Sequence, residues 1–281
     1  ISAMRGHEVT LFDKRSELGG QINYAVKIPG KQEFYEVLRF YRVMLEKYGV
    51  ELKLGQAVYQ ETLAAGNYDA VVLATGVQPR ELELEGADHA KVLSYLDVLD
   101  GECPVGNKVA VIGAGGIGID VAHFLTAKTP FSGEVPEYLQ GYGILNSEKA
   151  MALRKPKKRE VTVLQRSADK IGKRLGKTTG WAHIQTLKSH GVEFLSGATY
   201  LKIDDAGLHV KVALKKGEEA QEIVMDVDNV IVAAGQEPRL NLEASLREAG
   251  FEVHIIGGAK VALGLDAKVA INDGAELAAK L

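Results

Sequence analysis

At 281 residues, with 46% apolar and 25% charged side chains, the sequence has the make-up of an ordinary folded protein and not of a disordered one, and its length suits two domains. Lys and Arg total 34 against 37 Asp and Glu, and the resulting formal charge of −3 offers no electrostatic footprint for nucleic acid. The longest apolar run, at 109–119, falls well short of the ~20 residues that cross a bilayer, so neither a nucleic acid nor a membrane is expected as a partner.

In chain order, the first residues, Ile1-Ser2-Ala3-Met4-Arg5-Gly6-His7, carry neither an initiator methionine nor an apolar signal core, and they read as a chain entered midway. A β-rich run at 8–13 follows. Leu and aromatic residues at helical spacing then predict a helix over 34–48, and Gly49-Val50-Glu51-Leu52 marks a passage into a strand. Residues 69–73 form another apolar strand, closed by Ala74-Thr75-Gly76. Cys103 stands alone, which excludes an internal disulfide, a CxxC pair or a multi-cysteine metal or cluster site within the chain and suits a reducing, cytoplasmic setting.

Three segments of this first third recur later in the same order. Residues 8–14 match 160–166, residues 49–52 match 191–194, and Asp69-Ala70-Val71-Val72-Leu73-Ala74-Thr75-Gly76 matches Asp228-Asn229-Val230-Ile231-Val232-Ala233-Ala234-Gly235. Strands alternating with helices and ending in glycine predict an α/β fold of two Rossmann-like, doubly wound nucleotide-binding domains, one inserted in the other. The expected layout is discontinuous: 1–103 plus 226–281 for one domain and 104–225 for the other.

The second copy carries its phosphate loop. Strand 108–112 runs into Gly113-Ala114-Gly115-Gly116-Ile117-Gly118 and then a helix. Gly113 allows the tight turn, Gly115 and Gly116 let backbone approach a pyrophosphate, and Gly118 lets the helix pack against the strand. The first copy shows no such loop, because run 8–13 corresponds to a second strand. Two readings stay open: the first strand and glycine loop lie ahead of Ile1, or the copy evolved without them.

An acidic residue at the end of the second strand accepts ribose hydroxyls, whereas basic side chains there suit a 2′-phosphate. Asp13 fills that place in the first copy, consistent with FAD or NAD. Gln165 and Arg166 fill it in the second, followed by Lys170, Lys173, Arg174 and Lys177, which favours NADP(H), with Arg166 the leading phosphate ligand. The alternative is that these are solvated surface bases. Gly118 and Gln165 are 47 positions apart against about 20 in a plain fingerprint. Residues 126–159, with their prolines, glycines and a basic run at 154–159, therefore read as a surface excursion. Residues 172–178 lack the first glycine of a Walker loop, the histidines show no metal-ligand pairing, and no GxSxG elbow occurs, so no metal ligand and no catalytic side chain is assigned.

Further segments are more specific: Gly19-Gly20-Gln21, Ile28-Pro29-Gly30-Lys31, Val92-Leu93-Ser94-Tyr95-Leu96-Asp97, Pro104-Val105-Gly106-Asn107-Lys108, Leu175-Gly176-Lys177-Thr178-Thr179-Gly180-Trp181 and Gly235-Gln236-Glu237-Pro238. Along its whole length the sequence resembles the C-terminal region of NADPH-dependent 2,4-dienoyl-CoA reductases, modular flavoproteins of the old-yellow-enzyme type. The resemblance implies a longer enzyme whose preceding barrel holds FMN, an iron–sulfur cluster and the enoyl-CoA substrate. The region seen here would pass hydride from NADPH to FAD.

Carried over, Asp13 would hold the FAD ribose, Gly20 and Gln21 would line its pyrophosphate and ribityl chain, Ala74, Thr75 and Gly76 would close a strand end near the flavin, and Gly258 would meet the flavin phosphate. The helix from about Asp266 would aim its positive end at the flavin ring. Lys260 and Gly264 depart from the acidic residues the resemblance leads one to expect. Two alternatives remain: a non-catalytic NADP(H)-binding remnant, or the same module in a related flavoenzyme acting on another enone or amine.

Overall fold

The computed structural model describes residues 1–127, 159–173, 175–213, 218–264 and 266–281. Most of the excursion expected at 126–159, and Arg174, lie outside the described residues. Two compact units divide the chain. Unit 1 comprises Ile1–Val26, Gly30–Arg80 and Gln236–Leu281, and unit 2 comprises Lys27–Pro29 and Glu81–Gly235.

In chain order the elements are β1 (Thr10–Asp13), α1 (Ile22–Ala25), α2 (Phe34–Lys47), β2 (Glu51–Leu54), α3 (Gln60–Ala64), β3 (Ala70–Leu73) and β4 (Val77–Pro79). Then come β5 (Val92–Ser94), α4 (Tyr95–Asp100), β6 (Lys108–Ile112), α5 (Gly116–Thr126), β7 (Glu160–Gln165), α6 (Gly180–Ser189), β8 (Glu193–Ser196), β9 (Thr199–Asp204), β10 (Gly207–Val212), β11 (Gln221–Met225) and β12 (Asn229–Val232). The chain closes with β13 (Gln236–Pro238), α7 (Glu243–Glu248), β14 (Glu252–Ile255) and α8 (Ala267–Ala278).

Unit 2 holds a five-stranded parallel sheet in the order β5-β12-β6-β7-β8. Its middle strand, β6, pairs with β7 in the register Lys108↔Glu160 to Ile112↔Leu164 and with β12 in the register Val109↔Asn229 to Ile112↔Val232. Such a strand must be apolar on both faces. Val109, Ala110, Val111 and Ile112 are all buried. An antiparallel sheet, β11-β10-β9, shares that core: Ile203, Leu208, Val210 and Val212 join Ala110, Ile112, Leu164 and Val230 in one cluster. The compact units part at 80/81 and 235/236, because β5 and β12 pair into the sheet around β6.

Unit 1 repeats the pattern in two pieces. β1 pairs with β2 and β14 pairs with β3, both parallel, while β4 and β13 form an antiparallel ribbon. The duplication equates β1 with β7, β2 with β8 and β3 with β12. Position in the sheet equates β14 with β5. Unit 1 thus has a counterpart for every strand of the unit 2 parallel sheet except β6, and among the described residues β1 and β3 each keep one unpaired edge. A cluster of Leu63, Val71, Leu73, Leu246 and Val253, with Phe12 against it, forms the unit 1 core.

The entrance to β6 is pinned by a side chain. The Asp228 carboxylate accepts the amides of Asn107 at 2.7 Å and Lys108 at 2.8 Å, and Asn229 Oδ1 accepts that of Gly106 at 2.8 Å. Those amides, Lys108 before Asn107, hold Asp228 below the usual carboxylate range. A depressed folded-state pKa contributes stability that is present above the unfolded value of about 3.9 and is lost as pH falls through the folded value. Asp228→Ala is accordingly expected to lower Tm clearly at pH 7, with the gap to the parent closing as pH falls below about 4. Thermal unfolding followed by circular dichroism at pH 7, 5 and 3 checks this.

Candidate functional site

At the C-terminal end of β6 the chain turns through Gly113, whose φ of +116° favours glycine and whose amide donates to Leu164 O at 2.8 Å. A Cβ there would run into the Ala233 carbonyl of the neighbouring strand end. One on Gly118 would run into the Gly113 carbonyl. Those two glycines are dictated by the protein itself. At Gly115 and Gly116 an added Cβ would meet nothing within 4 Å. Gly115 is the N-cap of α5 and brings no side-chain cap, so the first-turn amides stay available to an anion over a smooth, open cradle. The residues present therefore fit a dinucleotide pyrophosphate.

At the end of β7, Gln165 Nε2 donates to the carbonyls of Ser167 at 3.0 Å and Asp169 at 2.5 Å. Ser167 Oγ accepts the Asp169 amide at 3.1 Å. These bonds make Gln165 a staple of its loop. Arg166 is exposed. It lies close enough to Tyr200 to draw the phenol down against burial, which dominates and pushes it up to about 12. Of the expected basic set, Lys173 pairs with Asp169 at 2.9 Å and is charge-balanced, while Lys170 and Lys177 are exposed.

In unit 1, Asp13 stands at the end of β1, and its Oδ1 accepts the Arg15 amide at 2.9 Å in an Asx turn. Arg15 then covers the Tyr24 ring at 4.8 Å and donates to its hydroxyl. The chain continues to Gly19, where a Cβ would strike Leu38, and to Gly20, with φ of +49° and open space beside it. Gln21 follows as the exposed N-cap of α1. After β3, Ala74 leads to Thr75, whose hydroxyl donates to Arg239 O, and to Gly76, whose carbonyl accepts the Arg239 amide at 3.0 Å. Gly76 has φ of +70° and, like Gly20, faces open space.

Beyond β14 the turn at Gly257–Ala259 buries Gly258, and Asp266 caps α8 by accepting the Val269 amide at 2.8 Å. The unexpected Lys260 is matched by a residue that sequence reading missed. Asp273 accepts the Gly257 amide at 2.7 Å and pairs with Lys260 at 2.7 Å, and Lys260 is the larger cause holding this carboxylate below its usual range. Thirteen residues separate the two charges, so no helical spacing announces the pair.

Asp13, Gly20 and Gln21 thus lie on one loop system of unit 1, Ala74 to Gly76 follow β3, Gly258 follows β14, and the unit 2 glycines and Arg166 follow β6 and β7. Among the described residues no group of three or more His, Cys, Asp or Glu converges on a metal position, and no helix is long and apolar enough to cross a membrane.

The family model for pyridine nucleotide-disulphide oxidoreductases matches residues 2–269. The chain belongs to that family. The tandem Rossmann-like fold is the family's fold, and its members bind FAD and a pyridine nucleotide. Among curated relatives, a metal reductase of Desulforamulus reducens is 27% identical over 92% of this chain and 38% of its own length. A cinnamate reductase of Clostridium sporogenes is 41% identical over 44% of this chain and 18% of its own. The solved structure of a 2-naphthoyl-CoA reductase with 2-naphthoyl-CoA matches all of this chain with a TM-score of 0.81 and 26% identity, over 37% of its length. This pyridine nucleotide-disulphide oxidoreductase chain therefore spans well under half the length of each of these three relatives.

The two kinds of glycine separate by mutation. Gly118→Ala is expected to destabilise unit 2 by about 1–3 kcal/mol through overpacking and to abolish nucleotide binding with it. Gly115→Ala should leave unfolding within about 0.5 kcal/mol of the parent while weakening pyridine-nucleotide binding roughly tenfold or more. Denaturant unfolding and fluorescence titration with the reduced pyridine nucleotides read the two effects.

Proposed function

We propose that the chain is an NADPH-to-FAD electron-input module of a 2,4-dienoyl-CoA-reductase-like flavoenzyme. The observation that carries this reading is one position in two copies of one fold: Asp13 closes β1, and Gln165 with Arg166 closes β7. A carboxylate there accepts ribose hydroxyls and repels a 2′-phosphate; a guanidinium beside a stapled Gln165 does the reverse. An Arg–phosphate contact near a surface contributes on the order of 1–4 kcal/mol at about 4 Å, which corresponds to a preference of roughly tenfold to a thousandfold for NADPH over NADH.

FAD, when bound, supplies a two-electron acceptor for hydride. Asp13 would orient its ribose, Gly20 and Gln21 would border the pyrophosphate, and Ala74 to Gly76 and Gly258 would let backbone come close. Asp266 occupies the Val269 amide and so fixes where α8 begins, directing the remaining first-turn amides outward. Asp273 balances the charge of Lys260 and holds the turn before α8. In unit 2, Gly113 and Gly118 shape the turn while Gly115 and Gly116 leave it open to the nucleotide.

FMN, an iron–sulfur cluster and the conjugated enoyl thioester would belong to the rest of the parent enzyme. Two things support this division: the chain covers only 38% of the metal reductase and 37% of the naphthoyl-CoA reductase, and relatives named for metals, cinnamate and an aromatic thioester share this region. Substrate choice then lies elsewhere in such enzymes.

The unpaired edges of β1 and β3 favour a second reading, in which unit 2 binds NADP(H) and unit 1 in this chain holds no flavin. Anaerobic addition of FAD and then NADPH separates the two. Loss of the flavin band with NADPH, and much less with NADH, is the expected result. A bound NADPH with an unchanged band establishes the second reading. Arg166→Ala should raise the KM for NADPH about tenfold or more and leave that for NADH within about twofold.

A further inference from the structure

One pair of backbone bonds occurs in both copies. In unit 1 the Gly55 amide donates to Arg15 O at 2.7 Å and the Gln56 amide to Asp13 O at 3.0 Å. In unit 2 the Gly197 amide donates to Ser167 O and the Ala198 amide to Gln165 O, both at 3.0 Å. Each pair clamps the turn after β2 or β8 onto the loop after β1 or β7 and brackets the one residue between its two acceptors. That residue is Lys14 in the first copy and Arg166 in the second. Gly55 and Gly197 make the turn with φ of +71° and +73°, so the two clamps are built alike.

Beyond the clamp the copies diverge. Val58 stands two positions after Gln56 in unit 1, where the strand end carries Asp13, and it packs on the core beside Phe12. Tyr200 holds the same place after Ala198 in unit 2, where the strand end carries Arg166. Its ring packs on the cluster that contains Leu164 and Ala198, so burial accounts for the ring. Burial does not account for the hydroxyl, which makes no hydrogen bond among the described residues and still reaches the surface. Arg166 is exposed, and its guanidinium likewise makes no hydrogen bond or ion pair among the described residues. Burial pushes the phenol up to about 12, with nearby Arg166 acting the other way, so at neutral pH both groups are donors.

We propose that Tyr200 is a second ligand, beside Arg166, for the 2′-phosphate of NADPH and a specificity-determining residue of unit 2. A phosphate monoester offers three terminal oxygens and carries nearly two charges at neutral pH. A guanidinium fork takes two of those oxygens side by side, and a phenol O–H takes the third. The ribose hydroxyl that NADH has instead is uncharged and is itself a donor, so it gives two neighbouring donors little to bind. Beside Asp13 a second donor would have no anion to meet, and there the place is held by Val58. The proposal rests on the reading of unit 2 as an NADPH site.

The test uses the full chain without added flavin and titrates adenosine 2′,5′-bisphosphate and adenosine 5′-monophosphate by calorimetry above the second phosphate pKa of about 6. The parent should bind the bisphosphate at least about tenfold more tightly than the monophosphate. Tyr200→Phe removes one oxygen and keeps the ring, and is expected to weaken the bisphosphate about tenfold while leaving the monophosphate within about twofold, the sign that the site is folded. With Arg166→Ala added, the combined loss should fall short of the product of the single losses, because both side chains act on one phosphate. A Tyr200→Phe chain that binds both ligands as the parent does overturns the proposal and leaves Tyr200 a core residue. Equal weakening of both ligands overturns it too, since the hydroxyl would then serve the adenosine they share. A parent without preference for the bisphosphate sinks the NADPH reading and the role of Tyr200 with it, whereas a preference that Arg166→Ala abolishes and Tyr200→Phe leaves intact sinks Tyr200 alone.

Discussion

A strand in the middle of a parallel sheet must satisfy its hydrogen bonds on two edges and bury its side chains on two faces at once. In unit 2, β6 meets that demand with Val109, Ala110, Val111 and Ile112, none more than 1% exposed. Fully burying a Val or Ile side chain contributes about 1.5–3 kcal/mol, so the apolar residues of this one strand and the neighbours they cover carry a large part of the unit's core. The phosphate turn depends on it. Gly113 lies where it does because β6 is clamped at its start by Asp228 and at its end by Leu164, and because the strand end beside it comes too close for any side chain. The shape of this glycine turn is thus a consequence of sheet packing, and Gly115 and Gly116 add only the open space above it.

The same constraint explains what the sequence made legible. Runs that alternate or cluster by burial declared themselves: β1, α2, β3, β6, the glycine turn and α5 all fall where apolar spacing and the glycines predict. The duplication made the tandem fold readable before any contact was known. The antiparallel sheet was not foreseen, although Leu208, Val210 and Val212 alternate with His209 and Lys211 as a half-buried strand does. β5 was likewise unrecognised as a strand, since three residues carry no periodicity.

Residues that act across the chain were illegible for a different reason. Asp228 caps amides some 120 positions earlier, and nothing in its own neighbourhood marks it. The Lys260 and Asp273 pair has no helical spacing either. Lys260 is half of a neutral pair with Asp273, which also accepts the Gly257 amide. Gln165 shows the converse. Its sequence position marks the end of β7, and the geometry adds that its side chain holds the loop that follows by donating to two carbonyls.

Unit 1 shows how far burial alone can hold strands together. Natural sheets blunt exposed edges with charge, proline or covering elements. Among the described residues β1 pairs with β2 and β3 pairs with β14, and Leu11, Phe12, Val71 and Val72 have the apolar composition of strands that lie inside a sheet. Val71 and Leu73 of β3 are buried with Val253 of β14, Leu63 and Leu246, and Phe12 of β1 packs against the same cluster. That common core, and not a continuous ladder of hydrogen bonds, is what joins the two strand pairs.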